Sequence, residues 1–130
     1  MLRWEKSNPM PRNRDRRFIV DYEVAVWLTT PKAKWTFNRQ SETYDRPLFK
    51  GSLVSGKEKT AHTTQKPIWL MKEILQVLSN ECDTVLDPFM GSGSTGVACK
   101  ELDRNFIGVE LDKQYFDIAE SRINNVEIKE

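Results

Sequence analysis

The residues best suited to chemistry form a short apolar strand, a glycine-rich turn and a second strand, and each strand ends on a carboxylate. The first strand ends on Asp87, the turn contains Gly91 and Gly93, and the second strand ends on Glu110. Glycines let the backbone turn sharply and approach a ligand closely, and the helix after the turn offers unpaired N–H groups at its start. Adjacent parallel strands would place both carboxylates at the sheet edge where open α/β folds bind ligands, which predicts a nucleotide-type cofactor site.

Two classes of cofactor could use this arrangement, and Asp87 favours one of them. Glycines at 91, 93 and 96 satisfy the dinucleotide fingerprint, in which Glu110 would bond the ribose of NAD. However, Asp87 lies where a pyrophosphate would sit, and two like charges about 4 Å apart repel by on the order of 4 kcal/mol at an intermediate dielectric. S-adenosylmethionine has no phosphate and carries an ammonium and a sulfonium, so Asp87 suits it and Glu110 can accept hydrogen bonds from its ribose. A turn that merely links a strand to a helix would explain neither carboxylate.

The second half of the chain contains three sequence blocks at a defined order and spacing. They are Asp87-Pro88-Phe89-Met90-Gly91-Ser92-Gly93-Ser94-Thr95, the upstream segment His62-Thr63-Thr64-Gln65-Lys66-Pro67, and Arg104-Asn105-Phe106-Ile107-Gly108-Val109-Glu110 followed by Tyr115, Ala119 and Arg122. In order and spacing these blocks resemble the motifs of the DNA amino-methyltransferases, which use S-adenosylmethionine to methylate adenine N6 or cytosine N4. Thr63 stands where the family usually has proline. The resemblance covers residues 62–123 closely, and residues 4–23 resemble the stretch that precedes the cofactor half in some members.

The resemblance implies which residues bind S-adenosylmethionine. In the turn and after the second strand they are Asp87, Pro88, Phe89, Gly91, Ser92, Gly93, Ser94, Thr95, Glu110 and Leu111. In the upstream segment they are His62, Thr64, Gln65 and Lys66. These four would border the methionine end of the cofactor, with Thr64 and Lys66 bonding its carboxylate. For His62, a capping or structural role fits the sequence equally well.

The family's catalytic tetrapeptide, an Asp, Asn or Ser followed by two prolines and an aromatic residue, is absent from these 130 residues. In the family it holds the exocyclic amine of a flipped base and stacks on the base ring. We therefore expect the C-terminal, cofactor-binding part of such an enzyme, inactive alone, as a natural remnant, one half of a split protein or a fragment prepared for study. The alternative is a non-catalytic regulatory partner of a separate methyltransferase chain.

Charge is distributed unevenly along the chain. Residues 1–61 carry 13 Lys or Arg against 7 Asp or Glu, whereas residues 62–130 carry 7 against 12. Four arginines, Arg12, Arg14, Arg16 and Arg17, cluster within six positions. Taken alone, such a cluster is more typical of a solvated loop. Beside the methyltransferase blocks it favours contact with the phosphates of double-stranded DNA.

Composition predicts a cytoplasmic domain, bacterial or phage-encoded if the resemblance holds. The length is about that of one domain, no apolar run approaches the roughly 20 residues of a bilayer span, and the N-terminus is too polar for a secretory signal. Cys82 and Cys99 lack metal-type spacing, and a single histidine leaves too few ligands for zinc. We expect two free thiols, with Cys99 in the core of its helix, and no metal site.

The predicted fold class is α/β, a partial Rossmann-like methyltransferase fold whose doubly wound sheet lacks its catalytic half. In the second half, strands are predicted over 83–87 and 105–110, and helices after Pro67, over Ser94–Leu102 and over Lys113–Asn124 with Asp112 as N-cap. Upstream, a buried strand over Phe18–Thr29, a turn and a return strand over Lys34–Phe37 would make a hairpin.

We expect a single incomplete domain with three parts. Residues 1–37 form the basic loop and hairpin, residues 38–61 a long loop acting as a lid or recognition segment, and residues 62–130 the cofactor-binding βα units. A sheet that lacks half of its strands exposes apolar faces and unpaired edges. We therefore expect the chain to form homo-oligomers or to pair with a separate catalytic chain.

Overall fold

The computed structural model of the protein describes residues 1–10 and 15–127. The chain divides into two compact units, of which unit 1 comprises Met1–Trp35 and Ser41–Leu53, and unit 2 comprises Thr36–Gln40 and Val54–Glu130. All predicted cofactor-binding residues fall in unit 2. Across the described ranges, every helix is too short or too polar to cross a bilayer.

Unit 1 is built around a three-stranded sheet in the order β2-β1-β3. The central strand β1 (Leu2–Lys6) is antiparallel to β2 (Tyr22–Ala25) and parallel to β3 (Leu48–Gly51). Trp4 of β1 is buried, with 4% of its surface exposed, and its indole N–H donates to the Gly51 carbonyl at 3.3 Å. Burial of this large ring with its polar atom bonded anchors the sheet.

The predicted hairpin is wrong in its pairing. Strand structure within Phe18–Thr29 is confined to Tyr22–Ala25, and residues 34–37 form no strand. The turn between them is present, since the Ala33 N–H donates to the Thr30 carbonyl at 3.1 Å. β2 pairs instead with β1 at the start of the chain, and most of its side chains are exposed rather than buried. An apolar pattern predicts an extended segment, but it carries no information about a distant partner strand.

Unit 2 contains the two strand–helix units that the sequence predicts. β4 (Thr84–Asp87) and β5 (Asn105–Gly108) are adjacent and parallel. Three helices accompany them, α1 (Ile68–Leu78), α2 (Ser94–Glu101) and α3 (Lys113–Asn124). Asp112 caps α3 as predicted, because its carboxylate accepts the N–H groups of Gln114 and Tyr115. The α/β class and these elements are thus confirmed, with strand and helix bounds within two residues of those predicted.

The core of unit 2 lies where α1 packs on α2, which in turn packs on β4 and β5. Its members are Leu75, Ala98 and Cys99, with Ile68, Met71, Val85, Leu102 and Phe106 packed against them. Cys99 is fully buried as predicted, and burial raises the pKa of its thiol to about 11. Cys82 is an exposed free thiol.

The segment predicted as one long loop, residues 38–61, contains β3 and a turn of 3₁₀-helix over Gly56–Glu58. At its start, the Asn38 side chain donates to the carbonyls of Gln76 and Ser79 at 3.1 and 2.9 Å. Carbonyls at the end of a helix lack intrahelical donors. The chain is therefore held against the end of α1 immediately after the predicted return strand, Lys34–Phe37.

Candidate functional site

Asp87 and Glu110 lie at the carboxyl edge of the two parallel strands. Asp87 is the last residue of β4 and is level with Gly108 of β5, two residues before Glu110. Pairing continues one step further, because the Val109 N–H donates to the Asp87 carbonyl at 2.9 Å. Both acids are partly buried. The parallel arrangement thus brings the two predicted carboxylates to one edge of the sheet, where α/β folds bind ligands.

The Asp87 carboxylate is fixed by two hydrogen bonds. Its Oδ1 accepts the Phe89 N–H at 3.1 Å, and its Oδ2 accepts the Thr95 hydroxyl at 2.7 Å. The first bond shapes the entrance of the turn, and the second ties the end of β4 to the first turn of α2. A carboxylate has about four acceptor positions, so Asp87 retains capacity to accept bonds from a ligand.

The Glu110 carboxylate is fixed in the same manner. Its Oε2 accepts the Gly91 N–H, and its Oε1 accepts the Asp112 N–H, each at 2.9 Å. One side chain therefore connects the glycine turn with the entrance of α3. As for Asp87, acceptor positions remain for a second set of donors.

The two turn glycines are required by conformation and by space. Gly91 has φ +54° and Gly93 has φ +80°, in the left-handed region that other residues rarely adopt. A Cβ at Gly91 would lie 2.9 Å from His62 Nε2, and one at Gly93 would lie 2.8 Å from the Ala119 Cβ. Gly93 is the N-cap of α2. The turn therefore packs closely between the upstream segment and α3 and opens directly into a helix.

The upstream segment reaches the turn through His62. Its ring meets the Tyr115 ring edge-on, with centroids 4.5 Å apart. Among the described residues, His62 Nδ1 is buried without a hydrogen-bond partner. Gln65 uses its amide within the segment, accepting the Thr60 N–H and hydroxyl at 2.9 and 2.8 Å and donating to the Glu58 carbonyl at 2.8 Å. Its observed bonds thus hold the loop in shape, and its role as a ligand residue stays a prediction.

A cavity of about 210 Å³ opens beside Asp87. Predicted residues in its lining are His62, Thr64, Gln65, Lys66, Asp87, Phe89, Ser92, Ser94 and Thr95. The predicted residues outside its lining are Pro88, Gly91, Gly93, Glu110 and Leu111. Pockets that enclose a drug-sized ligand measure roughly 300–1,000 Å³. The cavity is therefore large enough for one part of a nucleoside cofactor, with Glu110 placed beyond it on the strand edge.

Arg122 of α3 is a residue of this site whose role the sequence does not predict. Its Nη1 donates to the Ser92 carbonyl at 2.5 Å and to the Ser92 hydroxyl at 3.1 Å. Burial lowers the pKa of Arg122, and the nearby Glu58 carboxylate acts in the opposite direction. Its position in the sequence does place it on one helix face with Tyr115, which contacts His62, and with Ala119, which faces Gly93 of the turn.

Two of the four predicted DNA-binding arginines, Arg16 and Arg17, lie in the described part of unit 1. Arg16 and Arg17 are exposed, whereas Arg12 and Arg14 lie outside the described residues. Exposure leaves both described arginines accessible to a polyanion. Contact with DNA stays a prediction.

Comparison of the chain with protein families and curated proteins gives consistent matches. The family model for DNA methylases of the N6/N4 type matches residues 1–121. Type II methyltransferase M.HinfI of Haemophilus influenzae is 38% identical over 95% of this chain and 38% of its own length. Type II methyltransferase M2.LlaDCHI of Lactococcus lactis subsp. cremoris is 36% identical over 95% of this chain and 49% of its own length. The chain therefore spans half or less of the length of these curated relatives.

Solved structures agree with these matches. A crystal structure of the M1.HpyAVI–SAM complex is 53% identical, with a TM-score of 0.86 over 95% of this chain and 60% of that chain. The PvuII DNA methyltransferase (cytosine-N4-specific) has a TM-score of 0.80 at 20% identity, over 97% of this chain and 51% of that chain. At 20% identity, the similarity to the PvuII enzyme supports the fold alone.

Proposed function

Because the chain belongs to the DNA amino-methyltransferase family, we propose that it binds S-adenosylmethionine at the edge formed by Asp87 and Glu110. It would supply the cofactor part of a site-specific DNA methyltransferase that modifies adenine N6 or cytosine N4. The observation that carries this proposal is the pair of carboxylates beside a glycine turn, each fixed by two hydrogen bonds. DNA modification further implies a cytoplasmic location, where bacterial DNA is found.

The donor set of the site fits the chemistry of S-adenosylmethionine. Its ammonium and sulfonium are cations, and a partly buried carboxylate at Asp87 attracts them where it would repel a pyrophosphate. Glu110 retains acceptor positions for the two ribose hydroxyls, and each bond to a charged acceptor contributes roughly 1.5–3 kcal/mol. In the cavity, Thr64 and Lys66 would bond the carboxylate at the methionine end.

The residues of this chain would orient the cofactor and leave base recognition to other residues. When bound, S-adenosylmethionine would supply the methyl group of its sulfonium to the base amine. S-adenosylhomocysteine would leave and the amine would lose a proton, so no covalent enzyme intermediate is needed. Catalysis in this class comes from holding the two reactants in line. Since the double-proline tetrapeptide is absent from these 130 residues, we propose that the isolated chain binds the cofactor but does not methylate DNA.

The first experiment is calorimetric titration of the purified chain with S-adenosylmethionine. Asp87→Ala should abolish binding, whereas Asp83→Ala, at the opposite end of β4, should retain it. Both variants should remain folded by circular dichroism. A folded wild-type chain that shows no binding contradicts the proposal, and displacement of S-adenosylmethionine by NAD would favour a dinucleotide site instead.

The absence of the tetrapeptide also favours a second candidate, a non-catalytic module that stabilises or regulates a separate methyltransferase chain. Transfer of a radiolabelled methyl group to duplex DNA separates the candidates. A split enzyme predicts transfer only when the chain is combined with a partner that carries the tetrapeptide, such as the product of a neighbouring reading frame. A regulatory module predicts that the partner is active alone and changes its rate on addition of this chain. Transfer by the purified chain alone contradicts both.

Contact with duplex DNA is the second part of the proposal. It is supported by the net charge of residues 1–61, which carry 13 basic and 7 acidic side chains. Replacing Arg16 and Arg17 together by Gln should weaken binding of a labelled duplex and lower its salt dependence, because phosphate contacts release counterions. Replacing Lys57 and Lys113 by Gln removes the same charge from exposed positions of unit 2 and serves as control. Equal losses in the two double variants would indicate nonspecific attraction only.

A further inference from the structure

Arg122 joins α3 to the glycine turn through a small group of buried polar atoms. Besides its two bonds to Ser92, its Nη1 lies 3.5 Å from the Ser94 hydroxyl. Ser92 and Ser94 are 2% and 6% exposed. A partly buried guanidinium therefore contacts the turn from the side of α3, at the residue between the two left-handed glycines.

These contacts hold one peptide unit from both ends. The carbonyl of the Ser92–Gly93 peptide accepts from Arg122, and its N–H donates to the Met90 carbonyl at 2.8 Å. Because a peptide unit is planar, two bonds on opposite sides fix its orientation. The next point upstream is fixed by the Gly91 N–H, which donates to Glu110. The backbone of the turn is thereby held in place immediately before α2 begins.

Packing alone does not account for a guanidinium at this position. Burying a charge is costly, and apolar residues of similar volume often stabilise a fold as well or better. Within the described residues, Arg122 Nη2 is buried without a hydrogen-bond partner. The well-formed contacts of the side chain are those of Nη1 with the turn.

We propose that Arg122 is a positioning residue that holds the glycine turn in the shape required by the cofactor. The proposal rests on the proposed function, since the ligand of the turn is S-adenosylmethionine there. Arg122 touches Ser92 and acts on the ligand only through the turn. Its removal should therefore weaken binding of the cofactor in a chain that remains folded.

The test compares Arg122→Met with Arg104→Met. Arg104 is a matched control, because it also donates to backbone carbonyls, those of Ser79 and Leu102, at the far end of the strands. Both variants should unfold at a lower temperature than wild type. Only Arg122→Met should raise the calorimetric Kd for S-adenosylmethionine, by about tenfold, the equivalent of 1.4 kcal/mol. Equal Kd values for wild type and Arg122→Met would overturn the proposal.

Two further measurements separate positioning from general loss of structure. Guanidinium added at a low, non-denaturing concentration should restore part of the affinity of Arg122→Ala and none of that of Asp87→Ala. Without any cofactor, hydrogen exchange at the Gly91 and Gly93 amides should accelerate in Arg122→Met and stay unchanged in Arg104→Met. If wild type fails to bind S-adenosylmethionine, the proposed function fails, and exchange still decides whether Arg122 holds the turn. Unchanged exchange at both glycines would overturn that role.

Discussion

Asp87 and Glu110 combine two tasks in single side chains. Each carboxylate accepts two bonds from its own surroundings, and each has about two acceptor positions left for a ligand. Because the internal bonds fix the direction of the remaining lone pairs, the ligand meets acceptors that are already oriented. Substitution of either acid should thus alter both the shape of the turn and the affinity for the cofactor.

Glu110→Gln tests this double role. The two oxygens of Glu110 face two N–H donors, so an amide must turn its NH₂ group toward one of them and lose that bond. We expect the Kd for S-adenosylmethionine to rise at least about tenfold, since bonds to charged acceptors contribute roughly 1.5–3 kcal/mol. Calorimetry measures this change, with Glu81→Gln as an exposed control. Wild-type affinity in Glu110→Gln would place the ribose elsewhere.

The two cysteines should differ sharply in reactivity. Burial raises the pKa of Cys99 to about 11, so at pH 8 its thiolate is scarce as well as inaccessible, whereas Cys82 is exposed. A thiol reagent should modify Cys82 rapidly and Cys99 only on unfolding. Cys82→Ser should eliminate the rapid phase. Rapid modification of both thiols in the native state would mean that the core around α2 opens readily.

Single residues differ in how far the sequence predicts their role. Asp112 as a cap and Cys99 as a core residue follow from local pattern, because each depends on neighbours within one helix. The bonds of Arg122 to Ser92 join residues thirty positions apart, and the internal bonds of Gln65 depend on the path of a non-repetitive loop. Such contacts depend on tertiary structure, so the sequence shows the residue type without its partner.

At the scale of elements, α3 forms the support of the glycine turn. Gly93 faces Ala119, and a Cβ at Gly96 would lie 2.4 Å from Ile123 Cδ1. The small residues on both sides allow the helix and the turn to approach closely. The tolerance of this contact can be measured by adding a single methyl group.

Gly93→Ala should destabilise the fold more than Gly56→Ala. Both glycines have positive φ, which costs a non-glycine residue roughly 1–2 kcal/mol. A methyl group at Gly56 meets nothing within 4 Å, whereas one at Gly93 meets Ala119 at 2.8 Å. Urea unfolding should therefore show a loss of about 1–2 kcal/mol for Gly56→Ala and a larger loss for Gly93→Ala. Equal losses would show that α3 moves aside without cost.

Local elements of unit 2 were predictable because their patterns are self-contained. The helical spacing before Leu78, the cap at Asp112 and the glycine turn each indicate one conformation. In unit 1, the sequence pattern does not predict β1, because Trp4 is flanked by charged residues and the segment contains no apolar run. β3 was missed for a related reason, since a four-residue strand in a polar segment carries little pattern of its own. Both strands depend on pairing between distant segments.

At the scale of the whole molecule, the second face of the β4–β5 pair is open. Leu86 and Ile107 lie side by side on it, 61% and 54% exposed, and Val109 is 52% exposed. In the part of the chain that the structure describes, β4 and β5 pair only with each other, so both outer edges are unpaired. Exposed apolar area beside unpaired strand edges favours association.

Self-association should therefore depend on this face. We expect sedimentation velocity to show species larger than a monomer as concentration rises, and Ile107→Lys to shift the population toward monomer. The substitution should leave the fold intact, because the Ile107 side chain lies opposite the core that contains Phe106. Thr84→Lys adds the same charge to the same face without removing apolar area, and should change association less. If wild type stays monomeric at high concentration, the open face is stable in water by itself, and neither a second copy nor a separate chain is needed to cover it.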